Sequence, residues 1–199
     1  MSGVDPHEGH AHAAGPDRSV RPALVGDAGA ISRIQVLALD GLLRAALGEG
    51  SGVPTLPADR IRSRWEETLD APRPDGCHTL VALHGRGIAG FASCAPAPAL
   101  PPQGRRTDGI PAGTEILTLA VDPDFTRSGH ASRLLAAVSD ITGAPSLRVW
   151  VAAGDEARIR FFESAGFAPA GLRRTLTVGE GTLVEHLWWA LAARPAPEV

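Results

Sequence analysis

The stretch from Thr114 to Ala136, TEILTLAVDPDFTRSGHASRLLA, sets the terms for the rest of the chain. Residues 114 to 121 are apolar and β-branched with Glu115 and Thr118 among them, Asp122 and Pro123 break the run, and from Gly129 onward the residues favour a helix. A buried strand, a tight turn and a helix in that order need a sheet to receive the strand. The turn carries chemistry of its own. The first four N–H groups of a helix lack internal partners and the helix dipole adds roughly half a positive charge, so Arg127, Ser128, Gly129, His130 and Ala131 can wrap an anion such as phosphate. Gly129 lets the backbone come close.

Elements on either side can be placed around this unit. Ser19 to Val25 reads as a first strand, and Gly26 and Asp27 open a helix with Asp27 as its expected N-cap. Its apolar face is supplied by Ile31, Ile34, Val36, Leu37, Leu42 and Leu43, and the Gly/Ser/Pro stretch from Gly48 to Pro57 ends it. Ala58 to Leu69 forms a second amphipathic helix, where the i, i+4, i+8 spacing puts Ile61, Trp65 and Leu69 on one stripe. Thr79 to Leu83 and Ile88 to Cys94 make a hairpin through His84, Gly85, Arg86 and Gly87. Residues 95 to 113, with Arg105 and Arg106, form a long Pro/Gly-rich loop expected on the substrate side. After the opening unit, Ser146 to Val151 is a strand and Gly154 to Ala165 a helix that Gly166 stops, with Phe167 packing behind. Leu172 to Val178 and Thr182 to Leu191 close the chain as a hairpin. The order is β α α β β β α β α β β.

At 199 residues and 44% hydrophobic content, the chain suits one sizeable core, assigned here to residues 19–193 between tails at 1–18 and 194–199. A net charge of −3 gives no general field toward nucleic acid or an anionic membrane. No apolar run approaches the roughly 20 residues of a membrane span and the start lacks a signal-peptide core, so a cytoplasmic location is expected. Cys77 and Cys94 are too few for a disulfide framework and read as core filler. His7, His10 and His12 sit in a tail without apolar periodicity, read as disordered; no fixed further ligand accompanies them, so no metal is expected. The chain has no Lys, Asn or Tyr. All basic work therefore falls to Arg, and chemistry that employs a tyrosine hydroxyl needs another donor.

Two motifs in this element order resemble those of the GNAT superfamily of acyl-CoA-dependent N-acetyltransferases. The first, Q/R-x-x-G-x-G/A after the fourth strand, is represented by Thr126, Arg127, Ser128, Gly129, His130 and Ala131, matching at Gly129 and Ala131 but with Thr126 in place of Gln or Arg. The second, N-x-x-A-x-x-F-Y-E-x-x-G-F, spans Asp155 to Phe167; it matches at Phe161, Glu163, Gly166 and Phe167, while Asp155 replaces Asn and Phe162 replaces Tyr. The resemblance covers roughly residues 19 to 193 and implies an α/β (α+β) fold: a mixed, mostly antiparallel sheet of about seven strands flanked by about four helices. It implies acetyl-CoA as co-substrate in a gap where the fourth and fifth strands splay. Backbone groups of Leu119, Ala120 and Val121 would pair with the pantetheine arm, residues 126 to 132, Ser132 included, would hold the diphosphate, and Asp155, Arg158, Phe161 and Phe162 would complete the cofactor site.

The implied reaction is acetyl transfer to a primary amine of a small molecule or peptide by direct attack in a ternary complex. It needs a base, a polarised carbonyl and a proton for the departing thiolate. Glu115 is the first candidate base, and Glu185 and His186 are the alternatives, of which strand alternation lets only one face a cleft. The backbone N–H of Leu119 or Val121 is the implied carbonyl polariser. Where the family often uses a tyrosine acid, this chain has Phe162, leaving Ser164, Ser128 or water. That loss also motivates an alternative: a non-catalytic acyl-CoA binding or sensing module. Trp188 and Trp189 must point to opposite sheet faces, and relatives of this kind allow a homodimer.

Overall fold

The computed structural model describes residues 18–47, 57–102, 108–179 and 181–192. Its elements are β1 (Val20–Pro22), α1 (Ala28–Leu47), α2 (Ala58–Asp70), β2 (His78–His84), β3 (Gly87–Ala97), β4 (Gly113–Val121), α3 (His130–Thr142), β5 (Ser146–Ala152), α4 (Glu156–Ser164), β6 (Ala168–Val178) and β7 (Gly181–Leu191). Their order along the chain is the one expected from sequence, with short 3-10 turns added at Val25–Asp27 and Pro123–Phe125. In space the seven strands run β1-β2-β3-β4-β5-β7-β6, so the final hairpin inserts its second strand beside β5. β4 and β5 are the parallel pair; the other neighbours are antiparallel.

Period-two alternation splits the strands between two helical layers. Leu80, Ala92, Ile116, Leu119, Val149 and Trp188 pack with Leu134, Leu135 and Val138 of α3 and with Phe162 of α4. On the other face Val81, Phe91 and Ala120 meet Ile31 and Ile34 of α1, with Trp65 and Leu69 of α2 against them. Trp65 stands edge-on to Phe91 at 5.5 Å and donates its indole N–H to Gln35 at 2.6 Å, so with Leu69 it packs against the core. Each such fully buried aromatic or aliphatic side chain contributes about 1.5–3 kcal/mol. Trp188 joins the first layer and Trp189 a third cluster with Ile110, Ala170 and Leu187, on the opposite face.

Local details refine the sequence reading. Asp27 does not cap α1. It ends the 3-10 turn, and its carboxylate accepts the Leu24 N–H at 2.8 Å and two hydrogen bonds from Arg21, which hold it below the usual carboxylate range. Asp155 does cap α4, accepting the Arg158 N–H at 3.0 Å. That helix ends in a Schellman arrangement: Phe167 N–H donates to Phe162 C=O, Gly166 N–H to Glu163 C=O, and Gly166 has φ +85°. The long loop at 95–113 is shorter than expected, since β3 runs on to Ala97 and Leu100 bridges Ile110; Arg105 and Arg106 lie outside the described residues. So do the histidines of the N-terminal stretch.

Candidate active site at the β4–β5 gap

Parallel pairing of β4 with β5 covers Thr114↔Leu147, Glu115↔Arg148 and Ile116↔Val149, and stops there. Just beyond, the β3–β4 register slips between Ser93 and Cys94, so Leu117 is bulged. The rest of β4 stays bonded to β3 and turns its other edge to the gap. Which groups it shows follows from antiparallel geometry: Asp122 N–H donates to Ala89 C=O, so Ala120 and Thr118 also bond toward β3, while Leu119 and Val121 aim their N–H and C=O groups at the gap. One of these is engaged, the Leu119 carbonyl accepting from the Arg158 guanidinium at 2.9 Å. Burial pulls the Arg158 pKa below its ordinary value, against the opposing pull of Asp155 and Glu185.

The open edge leads into the turn before α3. Arg127 and Gly129 both take left-handed backbone (φ +59° and +76°), Gly129 as the N-cap of the helix. Among the described residues, the N–H groups of 127 to 132 have no acceptor in the protein, whereas Arg133 N–H returns to Gly129 C=O at 3.1 Å. The Arg133 side chain ties the turn by donating to Ser128 C=O at 3.0 Å. Asp122 anchors its start: nearly buried, it accepts the Asp124 N–H at 3.1 Å and pairs with Arg33 of α1 at 2.7 Å. His130 is buried, 3.1 Å from His84, and Phe125 stacks on His84. Desolvation first, then His84, Arg133 and Arg18, lower the His130 pKa. A row of unpartnered N–H groups at a helix start, with a glycine bend, can hold a diphosphate.

Two cavities flank this edge. One of about 560 Å³ is lined by Leu119, Ala120, Val121, Thr126, Arg127, Gly129, His130, Ala131, Ser132, Arg158, Phe161 and Phe162. It gathers most of the residues singled out from sequence for the cofactor. Ser128 is not among them, and Asp155 lines the other cavity. That second space, about 810 Å³, continues from Leu119, Ala120 and Arg158 to α1, Trp150 and β7. Gln35, Thr118 and Glu185 are polar groups in its wall.

The candidate acid and base residues are placed differently from the sequence ranking. Glu115 lines neither cavity; it pairs with the buried Arg148 at 3.1 Å, and Arg148 also donates to Pro98 C=O, bracing the end of β3. Ser164 is exposed, donates to Phe161 C=O at 2.7 Å and also lines neither cavity. His186 points away, exposed, because it alternates with Glu185, whose buried carboxylate faces the cavity. Glu185 accepts from Arg174 at 2.6 Å, and the Arg174 guanidinium lies 4.5 Å over the Trp150 ring. Phe162 is wholly buried between Phe161 and Phe167 and has no proton to give. The Arg174–Glu185–Trp150 group and the Arg33–Asp122 tie were not read from sequence: each joins residues distant in the chain, and no local pattern marks them.

Comparisons with known proteins fit this geometry. No curated protein matches the chain. Among solved structures, a GCN5-related N-acetyltransferase from Rhodopseudomonas palustris superposes with a TM-score of 0.63 at 21% identity, over 90% of this chain and 99% of that one. A ribosomal-protein-alanine N-acetyltransferase from Brucella melitensis gives 0.61 at 21% identity, over 87% and 99%. YncA of Salmonella typhimurium, solved with its cofactor acetyl-CoA, gives 0.59 at 19%, over 92% and 98%. At such identities the likeness is one of fold. The model of the acetyltransferase (GNAT) family matches residues 46–167, more than half of the chain and the whole of the β4–β5 gap, and the chain belongs to that family.

Proposed function

We propose that this acetyltransferase moves an acetyl group from acetyl-CoA to a primary amine of a small molecule or peptide, by direct attack within a ternary complex. The observation that carries the reading is a pair of neighbouring sets of unpartnered N–H groups, Leu119 and Val121 on the gap-facing edge of β4 and residues 127–132 at the start of α3. Such a pair suits a ligand that is amide-bearing at one end and doubly anionic at the other. Leu119 and Val121 would pair with the amide arm, and Arg127 to Ser132 would hold the diphosphate. When bound, acetyl-CoA supplies the thioester that an amine attacks.

The chain's own part is to position, polarise and move a proton. The Leu119 and Val121 N–H groups are the fixed dipoles nearest the gap, and such preorganised donors are worth several kcal/mol to a developing oxyanion. Glu185 is the buried carboxylate in the larger cavity and the group suited to take the ammonium proton, directly or through water. With Phe162 buried and Ser164 turned to a carbonyl, neither of these positions supplies a side-chain acid to the gap. A leaving thiol of ordinary pKa, about 8.5, tolerates that. The same observation favours a second reading, a binding or sensing module without turnover.

Calorimetry with acetyl-CoA and thiol release with an amine panel separate these readings. Heat of binding together with thiol release establishes the transferase; heat without release leaves the sensing module; neither removes the proposal.

A further inference from the structure

The larger cavity has a chemistry that narrows its acceptor. The part beyond the gap is walled by Leu37 and Leu42 of α1, Leu117 of the β4 bulge, and Leu183 and Trp150. Leu37 and Leu117 are 42% and 59% exposed, leaving apolar surface in this wall for a ligand to cover. Covering them with an apolar ligand would gain about 25 cal/mol for each Å² withdrawn from water. The charges along the wall are unbalanced. Its one basic side chain among the described residues, Arg158, is committed to the Leu119 carbonyl, whereas Asp155, Glu156 and Glu185 are acidic. Asp155 is spent capping α4, and Glu156 pairs with Arg160 out in solvent. Glu185 remains as the buried carboxylate directed at the apolar part. Its surroundings already accept an organic cation, because the Arg174 guanidinium is held between Glu185 and the Trp150 ring.

We infer that the acceptor is a lipophilic primary monoamine, an ammonium directed to Glu185 on an aliphatic or aromatic body laid against Leu37, Leu42, Leu117 and Leu183. This rests on the acetyl-transfer reading and deepens it. An α-amino acid is disfavoured because its carboxylate meets Glu185 with no uncommitted cation among the described residues of the wall to receive it. A diamine is disfavoured because its second ammonium must be desolvated against leucines. Arg174 acts as a positioning residue: it neutralises part of the Glu185 charge and so competes with the incoming ammonium.

Matched pairs isolate each feature: phenethylamine against phenylalanine, and hexylamine against 1,6-diaminohexane. Calorimetry of each with the full chain saturated in coenzyme A reads binding without turnover, and thiol release from acetyl-CoA reads the reaction. The lipophilic monoamine of each pair is expected to bind about tenfold or more tighter, as about 1.4 kcal/mol of charge burial or repulsion requires. Glu185→Gln should raise the Kd for hexylamine about tenfold, and Arg174→Gln should lower it, whereas a purely structural arginine would leave it unchanged or weaken binding. Preference for phenylalanine or the diamine overturns the inference, as does an unchanged Kd in Glu185→Gln. The expected binding order without thiol release supports the pocket assignment and removes acetyl transfer instead.

Discussion

Replacing Gly129 by alanine tests the bend on which the proposed anion site depends. At φ +76° a Cβ costs about 1–2 kcal/mol from backbone sterics alone. The same atom would sit 3.3 Å from Arg133 Nη1 and 3.6 Å from its Cζ. That arginine can move, but moving releases its hydrogen bond to Ser128 C=O, worth about 1 kcal/mol net. The total is about 2–3 kcal/mol, which for a chain of this size lowers Tm by roughly 4–12 °C. Losing even one backbone donor to the diphosphate would weaken coenzyme A about tenfold, at about 1.4 kcal/mol. Calorimetric melting and coenzyme A titration of Gly129→Ala measure both. Gly154→Ala is the control, with ordinary φ and nothing within 4 Å of the added carbon. A Gly129→Ala protein that melts within about 1 °C of wild type and binds coenzyme A equally would refute the argument, whose 1–2 kcal/mol steric term does not depend on the ligand.

Further outcomes are expected. Glu115→Gln should cost about 1–3 kcal/mol in urea unfolding, since it strips the charge partner from buried Arg148, yet keep turnover, while Glu185→Gln should lose about 100-fold or more in kcat; the opposite pattern would return the base to Glu115. His130 and His78 both have pKa values lowered by burial, so above about pH 6.5 neither folded nor unfolded chain is protonated there, and below it the unfolded chain takes up protons that the folded one refuses. Stability should therefore fall as pH drops below about 6.5, and His130→Leu should flatten part of that fall; equal slopes in denaturation series at several pH values would contradict it. Phe162→Ala, at a wholly buried position, should cost about 3–5 kcal/mol, and a loss below about 1 kcal/mol in the same assay would show that the core there is not as packed as drawn.

What the sequence revealed was local and periodic. The unit from Thr114 to Ala136, the pairing of Trp65 and Leu69 on one helix stripe, and the stop at Gly166 each follow from residues within a few turns of one another, and each stands where expected. Asp27 was misjudged because the competing 3-10 turn and the Arg21 partner, six residues back, decide its role. The site divides along the same line. Positions proposed to act through the backbone could be named without knowing any side-chain partner, Gly129 from the turn and Leu119 from the family resemblance. Which carboxylate faces the cavity depends on strand phase and on Arg148 or Arg174 across the sheet, and neither partnership leaves a mark in the sequence near Glu115 or Glu185. Chain order likewise does not reveal that β7 inserts between β5 and β6.

The short seam between β4 and β5 has a mechanical meaning. With the ladder ending at Ile116↔Val149, the sheet consists of two leaves, β1 to β4 and β5 to β7, stitched along one end. One core under α3 and α4 spans both leaves, so the weak part of the join is its three-pair ladder, and amides along the seam should exchange with solvent before those of the β2–β3 ladder. A ligand whose amides bridge the free edges acts as a splint. Its signature would be cooperative: slower exchange on both leaves at once, including positions that it never touches.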